Sequence, residues 1–290
     1  MAGPAGYAGR ELLVVKLGGT TLAEQRAVLE EVASVSATHD LVIVHGGGKR
    51  VTEWLARLDV ETRFEAGLRV TDDRALEVAV AVLRGVVNTE LVATLRNLGA
   101  DAVGLSGVDG GLLIAERIPS LGRVATVVGA RPTVLYALFA AGKLPVVAPL
   151  ATDENGIVCN VNADEVAAGL AAGLHARLIL LTDADGVRGA DGKRIPSLDA
   201  AMAERLIEQG VIGSGMVPKV RSGLRALALA QTDELADSAA GARASIEVVI
   251  ADGAAPAALS RALDDPSFGT RLRAAAGRAP DSRGSRASGG

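Results

Sequence analysis

The chain has 290 residues, 49% of them hydrophobic and 22% charged, with a formal net charge of −4. That is enough for one large core or two modest lobes, while the acidic balance and the absence of a long basic block argue against nucleic acid as a partner. Aromatic residues make up only 2%, so the core must be aliphatic, and a single cysteine, Cys159, excludes an internal disulfide framework and fits a reducing, cytoplasmic setting.

The start, MAGPAGYAGR, has no hydrophobic signal core, and residues 1–10 are expected to be flexible. Residues 12–17, LLVVKL, form a β-rich run that ends in two glycines. Helical spacing covers 22–35, a second apolar run 41–44 ends in HGGG, and helical spacing resumes over 50–58. Strand, glycines and helix thus occur twice in sixty residues, the rhythm of a parallel α/β sheet. Residues 63–71 read as loop or short strand. Asp72 and Asp73 then open helical pattern over 74–84 and again over 87–98. Strand 102–105, a hairpin of 112–114 with 124–128, helix 133–141 and strand 145–148 follow. NVNAD (160–164) leads into a small-residue helix over 163–174. Strand 178–181 precedes a long polar loop, 182–194. Helix 198–209, loop 212–219, helix 220–230, strand 246–250 and helix 256–263 complete the pattern, and the tail from 273 reads as disordered. No uninterrupted apolar run approaches the roughly 20 residues of a membrane span.

Three consecutive glycines at a strand end call for a reason, because glycine is costly in regular structure. Without Cβ, the backbone N–H groups can approach an anion, and the following helix adds its positive end. A plain strand-to-helix turn is the bland alternative. Two common phosphate motifs do not fit. A GxGxxG fingerprint starting at Gly46 would need glycine where Val51 stands. A Walker loop ending at Gly48-Lys49 would need Ser or Thr where Arg50 stands, and glycine where Ile43 stands. Lys16 is also unusual, because it interrupts an apolar strand just before Gly18 and Gly19.

Six segments remain: KLGG (16–19), HGGG (45–48), GLRVT (67–71), NVNAD (160–164), TDADG (182–186) and GMVPK (215–219). In this order, between about residues 12 and 272, they resemble the amino acid kinase family, and GLRVT with NVNAD points to its branch acting on N-acetyl-L-glutamate. The resemblance implies a three-layer αβα sandwich with a mainly parallel central sheet. It also implies two lobes, 11–175 for acceptor binding and dimerisation and 176–272 for ATP, with 273–290 outside them. The implied reaction transfers the γ-phosphoryl group of ATP to a carboxylate. Lys16 and Lys219 would neutralise the moving phosphoryl group, and Asp164 would hold the two ammonium groups. Gly18, Gly19 and Gly46 would face phosphate, while Gly47, Gly48, Arg69 and Asn160 would bind the acceptor. Thr182, Asp183, Gly186 and Gly215 would belong to the ATP pocket. Asn162 either contacts ligand or caps its helix; His45 and Cys159 are expected to be structural. Mg²⁺ would be held mainly through ATP. Arginine-inhibited members carry an additional N-terminal helix, so the short segment before the first strand gives the expectation of an arginine-insensitive homodimer. The rivals are a relative acting on carrier-bound aminoadipate and a non-catalytic effector module. The latter would be expected to lose Lys16, Asp164 or Lys219.

Overall fold

The computed structural model describes residues 9–18, 26–65, 67–213, 215–232 and 246–274. Residues 1–8 of the start expected to be flexible, the tail beyond 274, Gly19 and residues 22–25 of the expected helix 22–35 lie outside those residues.

An eight-stranded sheet organises the molecule. From one edge its strands are Ser197–Asp199, Thr270–Arg273, Val248–Asp252, Arg177–Thr182, Leu12–Leu17, Asp40–His45, Leu144–Ala148 and Ala102–Ser106. The last six run parallel, and Thr270–Arg273 turns the direction by pairing antiparallel with Val248–Asp252. The strands are buried on both sides, which is why they read as continuous apolar runs rather than alternating ones.

Period-two geometry divides each strand between two cores. Leu13, Val15, Leu17, Leu41, Ile43, Ile179 and Leu181 face the layer that includes helices Arg26–Val35, Asn88–Asn97 and Ala258–Asp264. Val14, Val42, Val44, Leu178 and Leu180 face the layer that includes helices Ala163–Leu174 and Val217–Thr232. Four further strands, Leu113–Arg117, Val124–Ala130, Leu150–Thr152 and Val158–Val161, close into a small barrel beside the sheet. The expected hairpin is its antiparallel pair Leu113–Arg117 and Val124–Ala130.

Several elements differ from the sequence expectation, each for a local reason. The two helices read on either side of Gly85 are one, from Asp73 to Asn97, in which Ala81–Val87 is π-helical. The wider π turn absorbs the irregularity that the pattern suggested was a break. Residues 63–71 form a small antiparallel hairpin, Arg63–Glu65 with Leu68–Val70. The helix expected over 198–209 begins at Ala200, because Asp199 caps it by accepting from the Met202 N–H, and Leu198 belongs to an edge strand. The helix expected from 220 begins at Val217; Pro218 is tolerated in a first turn, where its missing N–H has no intrahelical partner in any case.

Candidate active site

Three neighbouring strands of the sheet, Asp40–His45, Leu12–Leu17 and Arg177–Thr182, end together. Leu17 is in register with His45 on one side and Leu181 on the other, so the chain leaves all three strands at the same level. Crevices at the carboxyl ends of parallel strands are where such sheets bind ligands. Lys16 shares the parity of Val14, which turns it towards helix Ala163–Leu174, and Asp164 stands in the first turn of that helix.

Lys16 Nζ lies 2.9 Å from Asp164 Oδ1, and Lys219 Nζ lies 3.7 Å from Oδ2. The carboxylate is buried, and its Oδ1 accepts no aligned hydrogen bond from protein, so the ion pair to Lys16 is its compensation at that atom. Asn162 is the helix cap: its Oδ1 accepts from the Asp164 N–H at 2.8 Å. A carboxylate between two ammonium groups leaves one net positive charge at the mouth of the strand edge. Such an arrangement is suited to anions and offers no obvious proton acceptor for chemistry.

The glycine turn forms the facing wall. Gly47 adopts φ 150°, and a Cβ there would come within 2.7 Å of Leu83 Cδ2 in the π-helical segment, so both backbone and packing require glycine. Gly47 caps helix Gly48–Arg57, and its carbonyl accepts from the Val51 N–H. The first-turn N–H groups that precede Val51 therefore point out of the helix at its positive end. Gly18 is used differently. Its N–H donates to the Leu181 carbonyl at 3.0 Å, and a Cβ would lie 2.7 Å from that oxygen and 3.1 Å from Lys16 Nζ. Its contribution is close approach beside Lys16 rather than a free amide.

A cavity of about 210 Å³ brings together Lys16, the three glycines 46–48, Arg69, Asn160, Asn162 and Asp164. Arg69 is buried, and among the described residues it has no acidic partner. Its guanidinium is braced through Nη2, which donates to the Gly48 carbonyl at 3.0 Å and to Thr52 Oγ1 at 2.7 Å, and more loosely through Nη1, which donates to Thr62 Oγ1 at 3.4 Å. The Phe64 ring lies 4.7 Å from its Cζ. Burial lowers the guanidinium pKa from its ordinary value, and a buried cation without a counter-ion is a ready partner for a carboxylate. Asn160 Nδ2 reaches Thr71 Oγ1 at 3.4 Å, and Thr71 in turn donates to the Arg69 carbonyl.

The expected nucleotide residues stand beside this cavity rather than in its lining. Thr182 ends its strand, buried, and donates to Asp183 Oδ1 at 2.9 Å. That hydrogen bond chiefly, together with the charges of Lys219 and Lys16, holds the Asp183 carboxyl below its ordinary range. Gly186, at φ 140°, is packed against Thr270 and Arg194, while the Gly215 carbonyl accepts from Lys219 Nζ at 3.4 Å.

Comparison with known proteins shows the family. The sequence pattern of the amino acid kinase family matches residues 11–233. The chain belongs to the amino acid kinase family. Acetylglutamate kinase of Solibacter usitatus is 42% identical over 266 residues, which is 90% of this chain and 98% of the relative. That of Rubrobacter xylanophilus is 41% identical over 263 residues, 90% of this chain and 96% of the relative. Among solved structures, N-acetylglutamate synthase from Neisseria gonorrhoeae, in complex with coenzyme A and N-acetyl-glutamate, superposes with a TM-score of 0.72. Its identity is 22%, over 92% of this chain and 60% of that one. An isopentenyl phosphate kinase superposes at 0.62 with 20% identity, over 91% of this chain and all of the other. At those identities the structural likeness concerns the fold. As an amino acid kinase the protein is a phosphotransferase that uses ATP.

Two features of this amino acid kinase had no signal in the motifs. Thr52, one turn into the helix after the glycines, braces Arg69; its place could be read only by pairing 52 with 69 in space. Asn88 is fully buried, donates to the Val146 carbonyl at 2.9 Å and lies 3.0 Å from His45 Nε2. His45 Nδ1 lies 2.6 Å from the Gly46 carbonyl, which can only accept, so the pattern assigns a neutral ring protonated at Nδ1. Burial lowers the His45 pKa to about 4. His45 and the buried Cys159, whose thiol burial pushes up, are structural as expected.

Proposed function

We propose that the protein transfers the γ-phosphoryl group of ATP to the side-chain carboxylate of N-acetyl-L-glutamate, forming N-acetyl-L-glutamyl 5-phosphate for arginine biosynthesis. The observation that carries this reading is the Lys16–Asp164–Lys219 cluster beside a cavity walled by the glycine turn, Arg69 and Asn160. The acetylglutamate kinases among the relatives support the choice of acceptor.

The acceptor carboxylate is already ionised at neutral pH, so the reaction needs no general base. One of its oxygens attacks the γ-phosphorus, the bond to the β–γ bridging oxygen breaks, and ADP leaves with the electron pair. The difficulty is that two anions must meet and charge must be stabilised on the moving group, which positioning and fixed positive charge can achieve. Lys16 and Lys219 supply that charge from opposite sides, and Asp164 keeps both ammonium groups aimed at one point. Gly46 and Gly18 allow the phosphoryl oxygens close to the backbone, and Gly19, outside the described residues, is assigned to phosphate by its motif alone. Gly47, Gly48, Arg69 and Asn160 hold the acceptor, the arginine on its α-carboxylate and the asparagine on its acetamido end. Thr182, Asp183, Gly186 and Gly215 border the nucleotide, which lies over residues 176–272, while the acceptor lies in 11–175. Among the described residues no group of three or more His, Cys, Asp or Glu is arranged to hold a metal ion. In this reading Mg²⁺ enters with ATP, on its phosphate oxygens.

The same reading takes the enzyme as a cytoplasmic homodimer. Helix Asp73–Asn97 is long and apolar enough to cross a membrane by length and composition, yet it packs on the sheet through Leu91 and Leu95. Its most apolar stretch is only 33% buried, and its exposed positions include the small residues Ala81, Gly85, Thr89 and Ala93 at four-residue spacing. A small-residue row lets a second helix approach closely, which supports pairing through this face.

The test is an assay with ATP, Mg²⁺ and a panel of acetylglutamate, glutamate, aminoadipate, aspartate and UMP, with acyl phosphate trapped by hydroxylamine. Acetylglutamate should be the preferred acceptor. Turnover of aminoadipate or another acid at equal or higher kcat/KM would overturn the assignment.

A further inference from the structure

The two helices that carry the catalytic charges are also joined by a second polar contact, on the far side of the first turn. Asp164 and Lys219 stand in the first turns of helices Ala163–Leu174 and Val217–Thr232. Next to Asp164, Glu165 Oε2 accepts from Thr126 Oγ1 at 2.6 Å and from the Val127 N–H at 3.3 Å. From the other helix, Arg225 donates through Nη1 to the same Thr126 Oγ1 at 2.7 Å and through Nη2 to the Val127 carbonyl at 2.6 Å. The Thr126 hydroxyl thus receives from a cation and donates to an anion. Both bonds are charge-assisted, and each directs the other.

Packing makes the joint tight on both sides. A Cβ on Gly169 would come within 2.4 Å of Val127 Cγ1, and one on Gly173 within 2.9 Å of Ala130 Cβ, so helix Ala163–Leu174 lies against strand Val124–Ala130 at glycine distance. A Cβ on Gly223 would come within 2.4 Å of Leu272 Cδ1, so helix Val217–Thr232 is seated on the sheet at the far side. Beside the direct apolar packing of the two helices, Arg225 adds a polar tie from the second helix to the strand against which the first lies. The distance between Asp164 and Lys219 depends on the relative placement of those helices, and 3.7 Å is near the outer limit of a useful ion pair.

We propose that Glu165, Thr126 and Arg225 form a positioning clamp that sets Lys219 against Asp164 for phosphoryl transfer. None of the three touches the reacting atoms. Their effect on turnover rests on the function proposed above, whereas their effect on the lysine does not, and the two can be measured apart.

Thr126→Val keeps the shape of the side chain and removes the hydroxyl, while Thr126→Ser keeps the hydroxyl. Both are compared with the parent protein in two ways: kcat and KM for each substrate, and the rate at which an amine-reactive reagent labels Lys219, resolved by mass spectrometry with the exposed Lys143–Asp101 pair as internal reference. Thr126→Val should lower kcat by about tenfold or more, a typical consequence of misplacing a catalytic group by a fraction of an ångström. KM for the acceptor should stay within about twofold. Lys219 should be labelled several times faster with Lys143 unchanged, and Thr126→Ser should restore both readouts. Unchanged Lys219 labelling in a folded Thr126→Val protein, or loss of kcat that Thr126→Ser does not restore, would overturn the clamp. If the parent protein lacked kinase activity, the proposed function would fall, and the labelling comparison would still decide whether the clamp exists.

Discussion

Replacing Asp164 by Asn removes one negative charge and almost no volume, which makes it the most direct probe of the charge cluster. At an effective dielectric constant of about 20, unit charges 2.9 Å and 3.7 Å apart attract by about 6 and about 4.5 kcal/mol before desolvation is subtracted. Removing one partner from a buried pair costs about 3–5 kcal/mol in stability. The lower end applies here, because the Lys219 side chain is 18% exposed and Lys16 lines an open cavity. Turnover should suffer more specifically. Two like charges with nothing between them turn away from one another, and losing an aimed electrostatic partner costs roughly 10²–10³ in kcat, or about 2.7–4 kcal/mol of barrier. KM for ATP should not rise, since the substitution makes the site more positive towards a polyanion. Initial rates from the hydroxylamine trap and urea denaturation measure both quantities. A folded Asp164→Asn enzyme with kcat within threefold of the parent would refute the idea that this carboxylate orients the lysines. So would a loss that appears only as a raised KM for ATP.

Arg69→Lys keeps the charge but loses the planar fork braced by Gly48 and Thr52, and should raise KM for the acceptor by about 30-fold or more with a smaller change in kcat, as steady-state kinetics will show. Gly47→Ala places Cβ 2.7 Å from Leu83 at φ 150°; denaturant unfolding should register a loss of about 1–3 kcal/mol. His45 binds a proton in the unfolded chain near its ordinary value of 6.5 but in the folded protein only at about 4. Its contribution to stability is therefore full above pH 6.5 and is lost as pH falls towards 4, by at most about 3 kcal/mol; His45→Gln should flatten the urea stability profile in that window. Ala81→Glu should convert a dimer to monomers in sedimentation velocity, since it puts a charge into the exposed small-residue row.

The centre of the sheet was legible in the sequence because its strands are buried on both faces and two of them run into glycine turns. Val42, Ile43 and Val44 leave little choice but an interior strand, and HGGG marks where it stops. What escaped was short or held from outside. Thr270–Arg273 and Val158–Val161 have four residues each, and they are strands because a neighbour pairs with them rather than by propensity. Gly85 looked like the end of a helix, yet the chain continues through it as a π segment, whose Leu83 and Val87 pack on Gly47. Tertiary packing overrode a local signal there, and it did so where the long helix supports the cavity wall.

The charge cluster shows a different limit. Lys16 could be singled out because it breaks an apolar strand, and Asp164 and Lys219 because they close recognisable motifs. Strand parity and a helix first turn then make the contact between Lys16 and Asp164 intelligible: even-numbered positions of the first strand face the helix that Asp164 opens. The residues that brace the site carry no such mark. Thr52, Thr126, Glu165, Asn88 and Arg225 are ordinary polar residues in helices and strands, and their partners lie up to 99 positions away. A single sequence states which side chain is chemically unusual for its place, but a hydroxyl that links two charges is unusual only once the charges are beside it. The groups proposed to meet ligand are therefore readable from local pattern, whereas those proposed to fix the distance between them emerge only from the fold.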